Sequence, residues 1–376
     1  MRVLHLLDSL NRGGAETLAL DVCRNARANG LDLTFAATGG GELEDDFRRS
    51  GAPFVRLSRR APLDPKLIVQ LRRLITEREV EVVHCHQAVE ALHAYLATRG
   101  SGGRVRRVLS FHLCTADAKN RLALKFLAPR MDSNVAVSRE LLACLGAEGG
   151  FATAKNFHVV YNGVDAARLQ ATAGASGLLR SELKLPEGDL LLGMVGNFYA
   201  DARKDQLTVC HALSSVFRRV PRAHFAFAGG WAGDGATRIY QECVNYCREQ
   251  GIADRVHFLG RRADVADMLG ALDIFVFSSR MDSFGVAVVE AMLAGVPSVV
   301  SDIGALLEVT NRGEYASVFR TGDADDLARR LFALIEDGAR RVRLAEAARQ
   351  WAAREFGIET HIANLLKLYK SQEGMP

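Results

Sequence analysis

Residues 274–302 read IFVFSSRMDSFGVAVVEAMLAGVPSVVSD, and this stretch contains the pattern that decides the fold. It begins with an apolar run at 274–279, continues through a polar loop into an apolar helical segment at 286–294, and ends in a second apolar run at 297–301. Strands that are covered by helices on both faces are almost continuously hydrophobic, whereas half-exposed strands alternate. The stretch therefore predicts a buried strand, a crossover helix and a second strand parallel to the first.

The same pattern recurs along the whole chain. Amphipathic helical stretches separate the apolar runs, for example at 15–29, 66–78, 205–219 and 237–250. The apolar runs form two groups, the first at 2–10, 31–38, 54–58, 82–86, 107–111, 133–138 and 157–161, the second at 190–198, 224–229, 256–259, 274–279, 297–301 and 315–319. Strand and helix alternating twice over predict an α/β fold with two Rossmann-like, doubly wound parallel sheets.

The two groups of strands also predict the domain organisation. We expect an N-terminal Rossmann-like domain at 1–170, a C-terminal one at 171–355, and a last helical segment at 356–376 that packs back toward the first domain. Two such domains facing each other form a central cleft at the carboxyl ends of both sheets, and ligands of this architecture bind there.

The composition is that of an ordinary globular protein. The chain has 376 residues, 48% hydrophobic and 24% charged, which suits two domains and excludes disorder, a collagen-like repeat or a coiled coil. No stretch approaches the roughly 18–20 apolar residues that a membrane span needs. The N-terminus begins directly with an apolar run and lacks the order of a signal peptide, so we expect a cytoplasmic protein.

Basic residues are in mild excess in the first half of the chain. Residues 1–165 contain 23 Lys and Arg against 18 Asp and Glu, within a net charge of +4 for the whole chain. This excess suits an anionic partner or a membrane surface, but it is too weak to indicate nucleic-acid binding.

Seven cysteines are scattered along the sequence without a CxxC pair. Such spacing indicates neither a disulfide framework nor a zinc ribbon, so we predict reduced, mostly buried thiols. Their positions are 23, 85, 114, 144, 210, 243 and 247.

The loop and helix of the opening stretch have the features of an anion site. The first N–H groups of a helix lack intrahelical partners and carry partial positive charge, so the backbone of Phe284, Gly285 and Val286 can cradle a diphosphate. Asp282 in the loop and Glu290 on the helix are eight residues apart, and a carboxylate on such a helix can accept both hydroxyls of a ribose. The alternative interpretation is a capped core helix with one solvated glutamate.

This segment resembles the EX7E motif of the retaining GT-B glycosyltransferases of family 4 (glycosyl transferases group 1). Residues 290–297 match its second half, and Asp282 replaces the first glutamate. Six further segments resemble those of the family in the same order, at 13–16, 83–86, 137–138, 161–165, 256–260 and 272–278. The resemblance implies a GT-B fold and the transfer of a hexosyl group from a nucleoside diphosphate sugar, of UDP or GDP type, with retention.

Within the donor site, the resemblance implies a division of roles. Glu290 would hold the ribose, and Asp282 would hold the donor together with the backbone of Phe284, Gly285 and Val286. The family grips the leaving diphosphate with an Arg and a Lys. Lys204 matches the Lys, whereas Asn197 stands at the position of the Arg, and Arg203 is the candidate to supply that charge. The family needs no metal, because such cations and the helix start carry the charge of the leaving group.

Three residues of the first half have roles implied by the same resemblance. The loop at Gly13 and Gly14 would close over the donor diphosphate, since glycines let backbone N–H groups approach a phosphate. His112 ends a strand and would position the sugar near the reacting centre. A plain turn and an ordinary strand-end histidine are the respective alternatives.

A histidine pair lies at the end of the strand at 82–86. His84 and His86 share one strand face because side chains alternate with a period of two. With no third ligand nearby in the sequence, we predict a structural or acceptor-side role and no metal site.

The segment 117–131 interleaves basic and apolar residues. In similar enzymes the N-terminal domain docks on anionic lipid to reach a lipid-linked acceptor, and an amphipathic helix with a solvated basic face is the alternative. The basic positions are Lys119, Arg121, Lys125 and Arg130, with Arg59, Arg60, Arg72 and Arg73 elsewhere in the same half.

The sequence therefore predicts a metal-independent glycosyltransferase without a cofactor, cytoplasmic or peripheral on the inner face of a membrane. Its partners would be a nucleotide-sugar donor and a glycan, lipid-linked or small-molecule acceptor, with cell-surface polysaccharide or glycolipid synthesis as the expected setting. Two alternatives are a nucleotide-sugar epimerase or hydrolase of GT-B type and a non-catalytic nucleotide-sugar-binding subunit. A nicotinamide dehydrogenase is disfavoured because no GxGxxG follows the first strand.

Overall fold

A computed structural model describes residues 1–100, 105–114, 118–149, 156–170 and 175–371. The chain divides into two compact units, one formed by Met1–Val164 with Phe356–Pro376, the other by Asp165–Glu355. The first boundary lies six residues before the expected one, because the short helical segment Ala166–Leu169 packs within the second unit against the helix that carries Glu290. Residues 171–174, near the expected boundary, lie outside the described residues.

The first unit is a parallel sheet of seven strands within the described part of the chain, in the order β3-β2-β1-β4-β5-β6-β7. These strands are β1 Arg2–Leu7, β2 Asp32–Ala37, β3 Phe54–Arg56, β4 Val82–Cys85, β5 Arg106–Phe111, β6 Ser133–Ala136 and β7 Phe157–Val159. The helices between them are α1 Gly14–Asn25, α2 Glu44–Arg48, α3 Pro65–Glu77, α4 Ala88–Ala97, α5 Ala118–Leu127 and α6 Arg139–Cys144.

The second unit has six parallel strands among its described residues, in the order β10-β9-β8-β11-β12-β13. They are β8 Leu190–Val195, β9 Ala223–Ala228, β10 Val256–Phe258, β11 Ile274–Phe277, β12 Ser298–Ser301 and β13 Ser317–Phe319. The helices are α7 Ala175–Glu182, α8 Gln206–Arg219, α9 Asp234–Glu249, α10 Val265–Ala271, α11 Val286–Leu293, α12 Gly304–Val309, α13 Ala324–Glu336 and α14 Gly338–Phe356. The predicted pair of Rossmann-like parallel sheets is confirmed.

The last helix, α15 Ile358–Lys370, belongs to the first unit. Ile362, Leu365 and Leu368 follow one helical face and are almost fully buried in the core beneath β1 and α1. Its entry is fixed by two backbone hydrogen bonds, from the Val164 N–H to the Phe356 carbonyl (2.9 Å) and from the Ile358 N–H to the Val164 carbonyl (3.1 Å). The end of the chain thus completes the core of its beginning.

One expectation about the cysteines is wrong. Cys114 and Cys144 form a disulfide, with their Cα atoms 5.9 Å apart. Thirty residues separate them in sequence, but β5 and β6 are neighbours in the sheet, so the segments that follow the two strands lie side by side. The other five cysteines are free and buried, as predicted.

A helix can cross a membrane only if it is long enough and sufficiently apolar. Among the described residues, none of the helices combines the length and the apolar character required to cross a membrane.

Candidate active site

The loop between β11 and α11 is organised by the side chain of Asp282. Its Oδ1 accepts hydrogen bonds from the backbone N–H groups of Phe284 (3.2 Å) and Gly285 (3.1 Å), and Val286 begins the helix. Gly285 has φ +93°, a conformation that favours glycine, and a Cβ there would come within 2.6 Å of the Leu306 side chain, which would have to shift. In this structure, two of the N–H groups predicted to cradle a phosphate are held by a carboxylate.

Lys204 lies on the opposite side of the same carboxylate. Its Nζ forms an ion pair with Asp282 Oδ2 and sits 4.4 Å from the centre of the Phe277 ring. Both charged side chains are more than four-fifths buried. Because Lys204 follows β8 and Asp282 follows β11, the pair lies at the carboxyl edge of the second sheet. The structure therefore brings together three predicted elements: the lysine, the aspartate and the start of α11.

Glu290 lies one helical turn further along α11 and is 8% exposed. Its Oε1 accepts a hydrogen bond from Nη2 of Arg168 at 2.6 Å, an ion pair within the second unit. A charge-assisted bond of this length orients the carboxylate. The sequence analysis missed Arg168, because it lies 122 residues away in a short helical segment that no motif marks.

Arg203 and Asn197 have local partners of their own. The Arg203 guanidinium binds both oxygens of Asp201, which raises its pKa, and its backbone carbonyl accepts a hydrogen bond from Ser279 (2.8 Å). Asn197 Oδ1 accepts the N–H of Gly230 at 2.8 Å, so it shapes the turn after β8. The Arg261 guanidinium also lies at this edge, since a Cβ on Gly230 would be 3.2 Å from its Nε. No sequence motif indicated Arg261.

Gly13 and Gly14 lie at the predicted turn between β1 and α1. Gly13 is the N-cap of α1, and a Cβ there would come within 2.5 Å of a carboxylate oxygen of Glu16. Burial, and then the nearby charge of Asp8, raises the pKa of Glu16. The carboxylate of Glu16 therefore lies against this turn, and no sequence motif indicated it.

A second acidic group lies behind this turn. Glu90 is fully buried, its Oε1 accepts a hydrogen bond from Thr38 (3.0 Å), and Nε of Arg59 is 3.5 Å away. Among the described residues, Glu90 Oε2 has no hydrogen-bond partner. Burial first, and then the charge of Asp8, raises the pKa of Glu90 to about 7.

The first unit also contains a hydrogen-bonded series that we call the histidine chain. From the surface inward, His112 Nε2 is 3.0 Å from His86 Nδ1, His86 Nε2 is 3.3 Å from His5 Nδ1, and His5 Nε2 is 2.9 Å from the Tyr369 hydroxyl. The same hydroxyl contacts His84 Nδ1, and His84 Nε2 is 2.7 Å from Ser110 Oγ. The chain comprises Ser110, His84, Tyr369, His5, His86 and His112.

The histidine chain corrects one expectation. A third histidine does lie beside His84 and His86, since His5 on β1 is directly paired in register with His84 on β4. One ring nitrogen from each of the three lies within 4.8 Å of the others, a group that could hold a metal ion. Sequence spacing missed His5 because the contact depends on the order of β1 and β4 in the sheet.

Burial keeps these imidazoles neutral. Desolvation, followed by the nearby His361 of α15, lowers the pKa of His5 to about 3 and that of His112 to about 4. Desolvation, followed by repulsion from neighbouring histidines, lowers the pKa values of His84 and His86 well below 6.5. The neutral imidazole both donates and accepts a hydrogen bond, which is the form that a hydrogen-bonded chain requires.

Helix α5 contains most of the predicted basic segment. Leu124 and Leu127 are buried, whereas Leu122 and Phe126 are 72% and 44% exposed. The guanidinium of Arg130 covers the Phe126 ring at 3.9 Å. Arg121 and Lys125 are also exposed, while the side chain of Lys119 lies outside the described residues.

Two family models match the chain in succession. Residues 12–168 match Glycosyltransferase Family 4, and residues 177–351 match Glycosyl transferases group 1. The two matches follow the two units and together take in most of the sequence. The chain therefore belongs to the family 4 (group 1) glycosyltransferases and has their GT-B fold.

Individual relatives agree with this assignment. The chain is 24% identical to N-acetyl-alpha-D-glucosaminyl L-malate synthase from Bacillus anthracis, over 82% of this chain and 79% of the relative. It is 27% identical to the lipopolysaccharide core biosynthesis mannosyltransferase LpsB from Rhizobium meliloti, over 78% and 80%. Among solved structures, Anabaena Alr3699/HepE in complex with UDP and glucose aligns with a TM-score of 0.85 and 21% identity, over 99% of this chain and 100% of that one.

Proposed function

We propose that this glycosyltransferase moves a hexosyl group from a nucleoside diphosphate sugar to an acceptor hydroxyl with retention of anomeric configuration. The observation that carries the proposal is the grouping of Lys204, Asp282 and the start of α11 at the carboxyl edge of the second sheet. A lysine ammonium beside the N–H groups at a helix start is an anion site, and a diphosphate is the anion that leaves in the reaction of this family.

In the proposed complex the diphosphate takes the place of the Asp282 carboxylate. The Phe284 and Gly285 N–H groups and the Lys204 ammonium all point at Asp282 now, and each would bind a phosphate oxygen equally well. Asp282 is then released toward the donor sugar, where it accepts a hydroxyl hydrogen bond. Arg203, which is half-buried beside the same loop, contributes further positive charge.

Glu290 would bind the ribose. Its carboxylate has four acceptor sites, and the Arg168 bond at 2.6 Å occupies one of them. The remaining lone pairs can accept both ribose hydroxyls, while Arg168 fixes the plane of the carboxylate. This role agrees with the position of Glu290 on α11, one turn beyond the proposed diphosphate site.

We further propose that the reaction needs no metal ion. Lys204, Arg203 and the α11 N-terminus carry the charge of the leaving diphosphate, a task that a divalent cation performs in other enzymes. The acceptor attacks on the face that the diphosphate leaves. The acceptor oxygen–anomeric carbon bond forms, the bond to the β-phosphate oxygen breaks, and that oxygen takes the acceptor proton.

The nucleotide and the acceptor are proposed from the relatives. The solved structure of Anabaena Alr3699/HepE in complex with UDP and glucose favours a UDP sugar as donor. The lipopolysaccharide core mannosyltransferase favours a glycolipid or polysaccharide acceptor at the inner face of a membrane. Exposed Leu122 and Phe126 between basic residues on α5 suit docking on anionic lipid.

A product assay tests this function. The protein is incubated in EDTA with UDP-glucose, UDP-N-acetylglucosamine or GDP-mannose and a panel of sugar, glycolipid and small-molecule acceptors, and NMR identifies the anomeric products. We expect an α-glycoside, since these donors are α-linked, and its loss in Lys204→Met but not in Lys66→Met, an exposed lysine of the first unit. Free sugar alone would indicate a hydrolase, an epimeric nucleotide sugar would indicate an epimerase, and an inverted product would contradict retention.

A further inference from the structure

The histidine chain has no part in the donor chemistry proposed above, although most of it is buried. A neutral imidazole has one N–H and one lone pair, so a ring with both nitrogens hydrogen-bonded donates through one and accepts through the other. His5, His84 and His86 each have both nitrogens in the chain. In each of these rings, the direction of the hydrogen bond at one nitrogen therefore determines the direction of the hydrogen bond at the other.

This constraint links the tautomer of His112 to the interior. If His86 donates from Nδ1 to His112, then His86 Nε2 accepts from His5, and His5 Nε2 accepts from the Tyr369 hydroxyl. In the second state all of these hydrogen bonds run in the opposite direction, and each shared proton is bonded to the other atom of its pair. His112 has its proton on Nδ1 in the first state and on Nε2 in the second.

We propose that His86, His5 and Tyr369 are positioning residues for His112, and that they fix both the orientation of its ring and its tautomer. The two states contain the same number of protons, and every group is neutral in both. They differ in the direction of every link between His112 and Tyr369, so the tautomer of His112 depends on the direction in which the Tyr369 hydroxyl donates. The inference rests on the proposed function only through the role that the family resemblance implies for His112, which is to position the sugar.

The surroundings of the chain support a fixed arrangement. His5 and His84 are paired in register on the two central strands, and Tyr369 is held by α15, whose other inward side chains are packed in the core. The Tyr369 ring is 2% exposed, and the Arg106 guanidinium binds its carbonyl at 2.8 Å. The hydroxyl thus has little freedom to leave its two histidine partners.

A bound metal is the competing explanation of the same three histidines. A metal would take one nitrogen from each of His5, His84 and His86. Both nitrogens of each ring already have hydrogen-bond partners, so a metal would have to displace at least two of these bonds. The two explanations differ in metal content and in the tautomer of His112.

Nitrogen NMR of the histidine rings tests the proposal in substrate-free protein at pH 7. Histidine labelled with 15N reports which ring nitrogen has the proton, and His112→Gln assigns the signals of His112. We expect Tyr369→Phe and His86→Gln each to change the ratio of the two His112 tautomers at least threefold. His93→Gln is the control, since His93 is equally buried but hydrogen-bonds, within the described part of the chain, to Asp64 and Val89 and not to the histidine chain.

An unchanged His112 tautomer ratio in both variants would overturn the proposal, as would one equivalent of zinc in the purified protein that His86→Gln loses. Turnover gives the second readout. In Tyr369→Phe we expect kcat to fall about tenfold while the donor KM stays within twofold, and a change confined to KM would also contradict a positioning role. Absence of any transfer would remove the proposed function but leave the NMR result to decide on the chain.

Discussion

At the scale of single residues, the acidic side chains of the candidate site are defined by their partners. The sequence placed Asp282 and Glu290 eight positions apart and suggested donor binding for both. The structure gives Asp282 two backbone N–H groups and Lys204, and it gives Glu290 the guanidinium of Arg168. Spacing could predict that the two carboxylates lie near one helix start. The partners depend on tertiary contacts, so spacing could not predict them.

The position of Asp282 leads to a prediction about nucleotide affinity. Asp282→Asn removes the charge that competes for Lys204 but keeps an oxygen that can accept the Phe284 and Gly285 N–H groups. We expect nucleoside diphosphate to bind about two- to fivefold more tightly, corresponding to an ion pair worth roughly 0.5–1 kcal/mol, while transfer slows. Calorimetry measures the affinity, with the exposed Asp254→Asn as control. Tenfold weaker binding would mean that the carboxylate itself holds the nucleotide.

Glu90 gives a prediction about stability and pH. Its pKa is about 7 in the folded protein against 4.5 as the ordinary value, so the folded state retains a proton that the unfolded state releases. The stability from this group is complete below pH 4.5 and is lost as the pH rises to about 7. Glu90→Gln has no such proton, so only the wild type loses this stability. The free energy of unfolding of the variant, relative to that of the wild type, should therefore rise by about 3 kcal/mol between pH 4.5 and 7.

Urea denaturation at several pH values measures this difference. The control is Glu359→Gln, which replaces an exposed glutamate of α15 and should follow the wild type at every pH. A constant difference between Glu90→Gln and the wild type from pH 4.5 to 7.5 would show that Glu90 does not keep a raised pKa.

At the scale of elements, helix α15 belongs to the first unit, although it is distant in sequence from the other elements of that unit. The helical pattern near the end of the chain was enough to predict the helix itself. Its partners required the structure, because the helix completes a core that begins at Val3 and reaches α1. Tyr369 reaches His5 across 364 residues, and no local pattern predicts such a contact.

The packing of α15 predicts the effect of a cavity. Leu365 is 1% exposed within the core of the first unit. Leu365→Ala should lower the free energy of unfolding by roughly 2–5 kcal/mol, since it loses buried methyl groups and leaves a void. The matched control is Leu122→Ala on α5, which is 72% exposed and should cost less than 1 kcal/mol. Equal losses in the two variants would show that α15 is not packed in the core.

At the scale of the whole molecule, the sequence predicted the two sheets well. All thirteen apolar runs correspond to strands of the described residues, because buried parallel strands have a strong and continuous signal. The disulfide and the third histidine were missed for one shared reason. Both are contacts between neighbouring strands or the loops after them, and these contacts follow from strand order rather than from spacing along the chain.

In the proposed function, the second unit binds a nucleoside diphosphate through Lys204 and Glu290 without a metal ion. Calorimetry with UDP, GDP and ADP in EDTA tests it most directly, on the wild type, Lys204→Met, Glu290→Gln and the control Lys66→Met. We expect one nucleotide to bind, the first two variants to bind it at least tenfold more weakly, and the control to be unchanged. Binding that needs added Mg²⁺, equal binding in all four proteins, or binding of none of the three nucleotides would contradict the account.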